Sequence, residues 1–201
     1  MSMSTRTGLS SAPRGLRAVW TAAHTPVAGV PRWATNLAYT VPFLVLPSGL
    51  WRIVTVLFGD GRNQDAGQLP SWLPVEAYVV LLSVASELLA FTAVGLIAAW
   101  GEVFPRWIPG LGGRRVPTSA AVIPAAFGTL ALTAVWTTIG LATEIAGTTI
   151  QGDPLPAGYP GLGHGWSLVF FYATYAPLVL WGPALGVLTV AYWKRRRRNG
   201  P

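Results

Sequence analysis

Cysteine is absent from all 201 residues, which excludes disulfide frameworks, thiolate nucleophiles, cysteine-ligated zinc and iron–sulfur clusters together. Charge is scarce as well: 10% of residues are Asp, Glu, Lys or Arg, against about 25% in ordinary soluble chains. The two histidines, His24 and His164, are far apart in sequence and expected on opposite sides of a membrane, so they cannot share a metal or form a relay. No nucleophile stands beside a base. These shortages argue against an enzyme, and neither a cofactor nor a metal is expected.

Long apolar runs fill the place of charge. Hydrophobic residues make up 52% of the chain, and the mean hydropathy is +0.47. Four runs, 37–58, 75–100, 119–146 and 166–193, meet the requirement of roughly 20 residues for crossing a hydrocarbon core of about 30 Å. The expected fold is all-α, a transmembrane four-helix bundle over 36–193, with a partly disordered N-terminal arm (1–35) and a basic tail (194–201). Arg6, Arg14, Arg17 and Arg32 precede the first run, but that run is too long for a signal peptide and lacks a small-residue cleavage site, so it reads as a retained span.

Basic residues set the expected orientation. Of fourteen Lys and Arg, four lie in 1–35, three in the 101–118 loop (Arg106, Arg114, Arg115) and five in the tail, whereas the alternate loops hold only Arg62. The positive-inside rule then places both termini and the central loop in the cytoplasm of a bacterial plasma membrane. Asp60, Asp65, Glu76, Glu144 and Asp153 gather on the opposite side. Trp33, Trp72, Trp100, Trp107, Trp166 and Trp193 fall near span ends, where amphipathic rings favour the interface.

The net charge of +7 does not indicate nucleic acid, because the basic residues flank spans instead of forming one face with interleaved aromatics. Lys194, Arg195, Arg196, Arg197 and Arg198 can attract anionic lipid at about 1 kcal/mol per charge, although a terminal anchor that fixes orientation explains them better. Gly161-Leu162-Gly163-His164-Gly165 superficially resembles a phosphate loop, but it has no preceding strand and no following soluble helix. The Gly110 to Arg115 loop lacks a Gly-Lys-Ser/Thr ending.

Ionisable residues interrupt the runs, Arg52 and Glu87 most deeply. An unpaired charge within a span costs about 2.5 to 3.5 kcal/mol on insertion scales, so such groups normally face the bundle interior and are paired. Glu87 falls twelve residues into the second run, about 18 Å from its end and near mid-membrane; Arg52 falls about 9 Å deep and Glu144 about 3 Å deep. Arg52 has three options: to bridge to Glu87, to bridge to Glu144, or to snorkel outward. Paired, Glu87 is structural glue; unpaired, it is favoured as the neutral acid that a proton carrier needs.

The third run carries Thr129, Thr133, Thr137, Gly140 and Glu144 at steps of four, four, three and four, which is one face of a helix. Such a stripe is either the wall of a hydrated path or a packing face whose hydroxyls bond back to the preceding turn. Gly182 and Gly186 form a Gly-x-x-x-Gly pair that lets another helix approach closely, within the bundle or between protomers. Pro42, Pro47, Pro177 and Pro183 free backbone carbonyls that can kink a helix or coordinate an ion, and kinking is the commoner result.

Three segments carry a family resemblance: Ser86-Glu87-Leu88-Leu89, Trp100-Gly101-Glu102-Val103-Phe104-Pro105-Arg106-Trp107-Ile108-Pro109, and Gly112-Gly113-Arg114-Arg115-Val116-Pro117. With Leu46-Pro47-Ser48-Gly49-Leu50-Trp51-Arg52 and Leu180-Trp181-Gly182-Pro183, the chain resembles a group of small four-span membrane proteins of high-GC Gram-positive bacteria over most of 37–198. The resemblance implies fold and location and no mechanism. Two functions are expected from the residues: a small transport or channel-like protein with a polar path at Arg52, Glu87 and the threonine stripe, or an accessory subunit, homo-oligomeric or bound to another membrane protein, in which the charges are braces.

Overall fold

Prolines punctuate the chain. Pro31, Pro74 and Pro117 hold the backbone extended (ψ 148°, 139° and 139°), and a helix follows each at once; the fixed φ and missing N–H of proline suit a helix start, where no intrahelical bond is lost. The structure, a computed structural model, describes residues 26–59, 70, 72–104, 109–155 and 157–198. The N-terminal arm through residue 25, with Arg6, Arg14, Arg17 and His24, lies outside the described residues, as do Asp60, Arg62, Asp65, Arg106 and Trp107.

The described residues are all-helical, without strands. α1 spans Arg32–Phe58, α2 Val75–Gly95, and α3 Thr118–Gly140, the last continuing as a π-helix over Leu141–Ala146. α4 covers Trp166–Tyr175 and passes through a 3₁₀ segment, Ala176–Leu180, into α5, Trp181–Arg198. Counting these continuations, four helices are long and apolar enough to cross a membrane: Arg32–Phe58, Val75–Gly95, Thr118–Ala146 and Trp166–Arg198. Pro177 opens the 3₁₀ segment, whereas Pro42 and Pro47 leave α1 continuous.

α1 packs chiefly on α2 and α3 on α5, while α1 and α5 join the two pairs. The α1 face is a row of small residues, Ala34, Ala38, Val41, Val45, Ser48 and Gly49, all buried at helical spacing. α2 answers with Ser83, Ala90 and Val94; a Cβ on Gly49 would sit 3.8 Å from that of Ser83, so the helices are in van der Waals contact there. α5 contributes Trp181, Leu185, Leu188 and Tyr192 to the same core. α3 buries none of its residues completely, and Phe127 and Leu130 on it are 72% and 71% exposed, a surface suited to hydrocarbon.

The second run was expected to stay helical to Trp100 but unwinds after Gly95. Leu96, Ile97 and Ala98 are buried as a turn, and Trp100 folds back to stack on Phe91 (6.5 Å, 6°). A Cβ on Gly95 would meet the Trp100 ring at 2.7 Å and one on Gly101 would collide with the Gly95 carbonyl oxygen, so both positions need glycine for close approach. Beyond it, residues 102–104 and 113–116 run side by side as a short ribbon through Phe104 N–H to Arg114 O (3.0 Å) and Val116 N–H to Glu102 O (2.8 Å). This ribbon, the start of α1 and the last turn of α5 share one end of the molecule, called here the basic end.

Candidate functional site

Arg52 lies on the packed face of α1, between buried Ser48 and Val56. Its Nε is sealed from solvent and makes no hydrogen bond. The guanidinium acts electrostatically on Tyr175, and the adjacent Trp51 ring rests on Phe170 at 5.0 Å. Glu87 sits on the α2 face that carries Ser83, Ala90 and Val94, half-buried. Because Gly49 faces Ser83, Arg52 lies three residues towards the far end and Glu87 four towards the basic end, so their backbones are offset by about 10 Å. That gap is why they form no ion pair: among the described residues, the ion pairs are those of Glu102 with Arg195 and Arg196.

Glu144 is committed elsewhere. It stands in the π-helical turn that ends α3, the wide-turn geometry that often marks functional positions, and the Tyr172 hydroxyl donates to its Oε2 at 2.6 Å. Tyr159, from the connecting loop, bonds Thr143 and packs edge-on against Phe171 (5.5 Å), which in turn leans on Tyr175 (4.9 Å). Burial holds the Tyr159 hydroxyl above its ordinary value; the Thr143 bond acts against this and the Glu144 charge adds to it. Arg52, Tyr175, Tyr159, Glu144 and Tyr172 thus make one polar and aromatic cluster at the far end, drawn from α1, α3, α4 and the loop.

The threonine stripe and the glycine pair prove to be two sides of one joint. A Cβ on Gly182 would collide with Thr133, including its backbone nitrogen at 2.6 Å, and one on Gly186 would meet Thr129 Cγ2 at 2.8 Å. The Thr129 hydroxyl donates to Ala125 O (2.8 Å) within its own helix, while Thr137 is exposed. The glycines therefore serve a joint within the chain, and the lower stripe is covered by α5.

At the basic end the tail divides. Arg195 donates to Glu102 Oε1 (2.7 Å) and to Leu96 O (3.1 Å). Arg196 donates to Val116 O (2.7 Å) and Thr118 Oγ1 (3.4 Å), and both guanidinium groups lie over the Tyr192 ring. Lys194, Arg197 and Arg198 are exposed. Glu102, Tyr159, Tyr172 and Tyr175 were not among the site residues expected from the sequence. Tyr172 and Tyr175 do stand three apart on one helix face, and a tyrosine hydroxyl inside an apolar run needs a partner, which was the available signal. Among the described residues, no group of three or more His, Asp or Glu side chains is placed to hold a metal ion. Set against known proteins, the chain matches no family model, no curated protein and no solved structure.

Proposed function

We propose that this chain is a multi-pass protein of the bacterial cytoplasmic membrane, a four-helix bundle with both termini inside, acting without catalysis as an accessory subunit that binds another membrane protein through Glu87. The observation that carries the reading is Glu87 itself, half-buried on α2 with no ion pair. Leaving a carboxylate unmatched at that depth costs about 2.5 to 3.5 kcal/mol, and a partner helix presenting a cation or a hydrogen-bond donor at the same height removes the cost. The path reading loses support because Gly182 and Gly186 cover Thr133 and Thr129. The asymmetry of basic residues supports the orientation, the resemblance to small four-span proteins supports the location, and exposed Lys194, Arg197 and Arg198 suit anionic lipid on the inner leaflet.

The test places a photo-crosslinking residue at Leu88, 64% exposed beside Glu87, in the native membrane. A discrete adduct with one membrane protein is expected, and Glu87→Leu should abolish it. In parallel, purified protein in liposomes should pass neither protons nor potassium. A flux that disappears in Glu87→Gln would replace the accessory reading with transport, and the absence of both adduct and flux would remove both.

A further inference from the structure

Arg52 is left over by the helix packing, and Glu87 does not use it. It is half-buried on the α1 face that carries Ser48 and Val56, and its Nε is sealed from solvent without a hydrogen bond. A guanidinium presents five donors, accepts nothing and keeps its charge, so in apolar surroundings it requires an oxyanion. Among the described residues no carboxylate pairs with it: the ion pairs are those of Glu102, Glu144 accepts from Tyr172 through Oε2, and Glu87 is offset along the axis. Arg52 lies six residues from the end of α1, about 9 Å, a depth from which a long side chain reaches headgroup level. Beside it, Trp51 and the 55%-exposed Phe170 form an aromatic wall of the kind found at the interface, with apolar surface for an acyl chain.

We propose that Arg52, with Tyr175 within reach of its charge and Trp51 and Phe170 alongside, binds a phosphate oxyanion, the diester of a phospholipid headgroup at the far end of the molecule. The site depends on α1, α4 and the Tyr175 turn, and it stands whether or not Glu87 recruits a helix.

Delipidated full-length protein in dodecyl maltoside would be titrated with dioctanoyl phosphatidylglycerol, with dioctanoylglycerol, which lacks phosphate, and with inorganic phosphate, following bound ligand by native mass spectrometry. The phosphatidylglycerol should be retained at one site and the diacylglycerol should not. Arg52→Gln should weaken the lipid by about tenfold or more, and Arg52→Lys, a point charge in place of a planar fork, should fall between. Inorganic phosphate binding that Arg52→Gln removes, without preference for the lipid, keeps the oxyanion site and reassigns its source to a soluble anion. The proposal is overturned if Arg52→Gln retains the lipid unchanged, if wild type binds dioctanoylglycerol as well as phosphatidylglycerol, or if nothing binds. The phosphate-free comparison on wild type decides the matter even where Arg52→Gln fails to fold.

Discussion

The joint between α3 and α5 makes a prediction in which two superficially equal glycines behave differently. At Gly186 the obstacle to a Cβ is the Thr129 methyl, Cγ2, at 2.8 Å, and the next atoms are at 3.7 and 3.9 Å. At Gly182 the obstacles include backbone, Thr133 N at 2.6 Å and Cα at 3.0 Å. Overpacking costs about 1–3 kcal/mol, while alanine favours a helix over glycine by about 1 kcal/mol. Gly186→Ala should therefore lose about 1 kcal/mol or less, and Gly182→Ala about 2 kcal/mol. Thr129→Ser deletes the offending methyl, so it should rescue Gly186→Ala with a coupling of about 1 kcal/mol. Thr133→Ser leaves the backbone in place and should not rescue Gly182→Ala. Unfolding followed by tryptophan fluorescence in mixed dodecyl maltoside and dodecyl sulfate micelles measures the two cycles. Equal tolerance at both glycines, or failure of Thr129→Ser to relieve Gly186→Ala, would refute the joint.

Glu102→Gln should destabilise the basic end by about 3 kcal/mol, since Arg195 is left as a largely buried cation; its side chain is 9% exposed, and faster tryptic cleavage between Arg195 and Arg196 would report the loosening. Arg52→Ala and Glu87→Ala should add within about 0.5 kcal/mol, as residues that do not pair; a strongly sub-additive double variant in the same unfolding assay would contradict the 10 Å offset estimated from helix rise. Tyr159 predicts a pH effect. Its raised value favours the neutral hydroxyl in the folded state, so its contribution is complete below the ordinary tyrosine value near 10 and disappears as pH rises through the folded value. Tyr159→Phe should flatten the alkaline limb of a stability profile, and an unchanged limb would argue against a buried Tyr159.

Span number was legible because twenty-residue apolar runs are a property of composition, and three of the four starts fell at or within a residue of the observed ones, where a proline or glycine precedes. The first start was read five residues late: Arg32, Thr35 and Asn36 interrupt the apolar run, but Pro31 starts a helix regardless. The unwinding after Gly95 was hidden because Leu96, Ile97 and Ala98 are as apolar as the helix before them; only the Gly95, Trp100 and Gly101 fit, a matter of three-dimensional clearance, distinguishes them. The threonine stripe and the glycine pair were each visible as helical periodicity, yet a period carries no information on which helix it faces. Arg52 and Glu87 were legible as costly residues for the same reason their partners were not: cost is local and pairing depends on register.

The ties made by Arg195 and Arg196 reach back across 78 to 99 residues, to Leu96, Glu102, Val116 and Thr118. Glu102 is made well before α5 in chain order, and both cations that neutralise it in the folded protein come from that last helix. Only an α5 threaded in the correct direction delivers the two arginines to that end, and an inverted one would strand them on the opposite side. The last turn of α5 is thus the clasp of the basic end, joining the turn after α2, the ribbon and the start of α3 through two adjacent side chains.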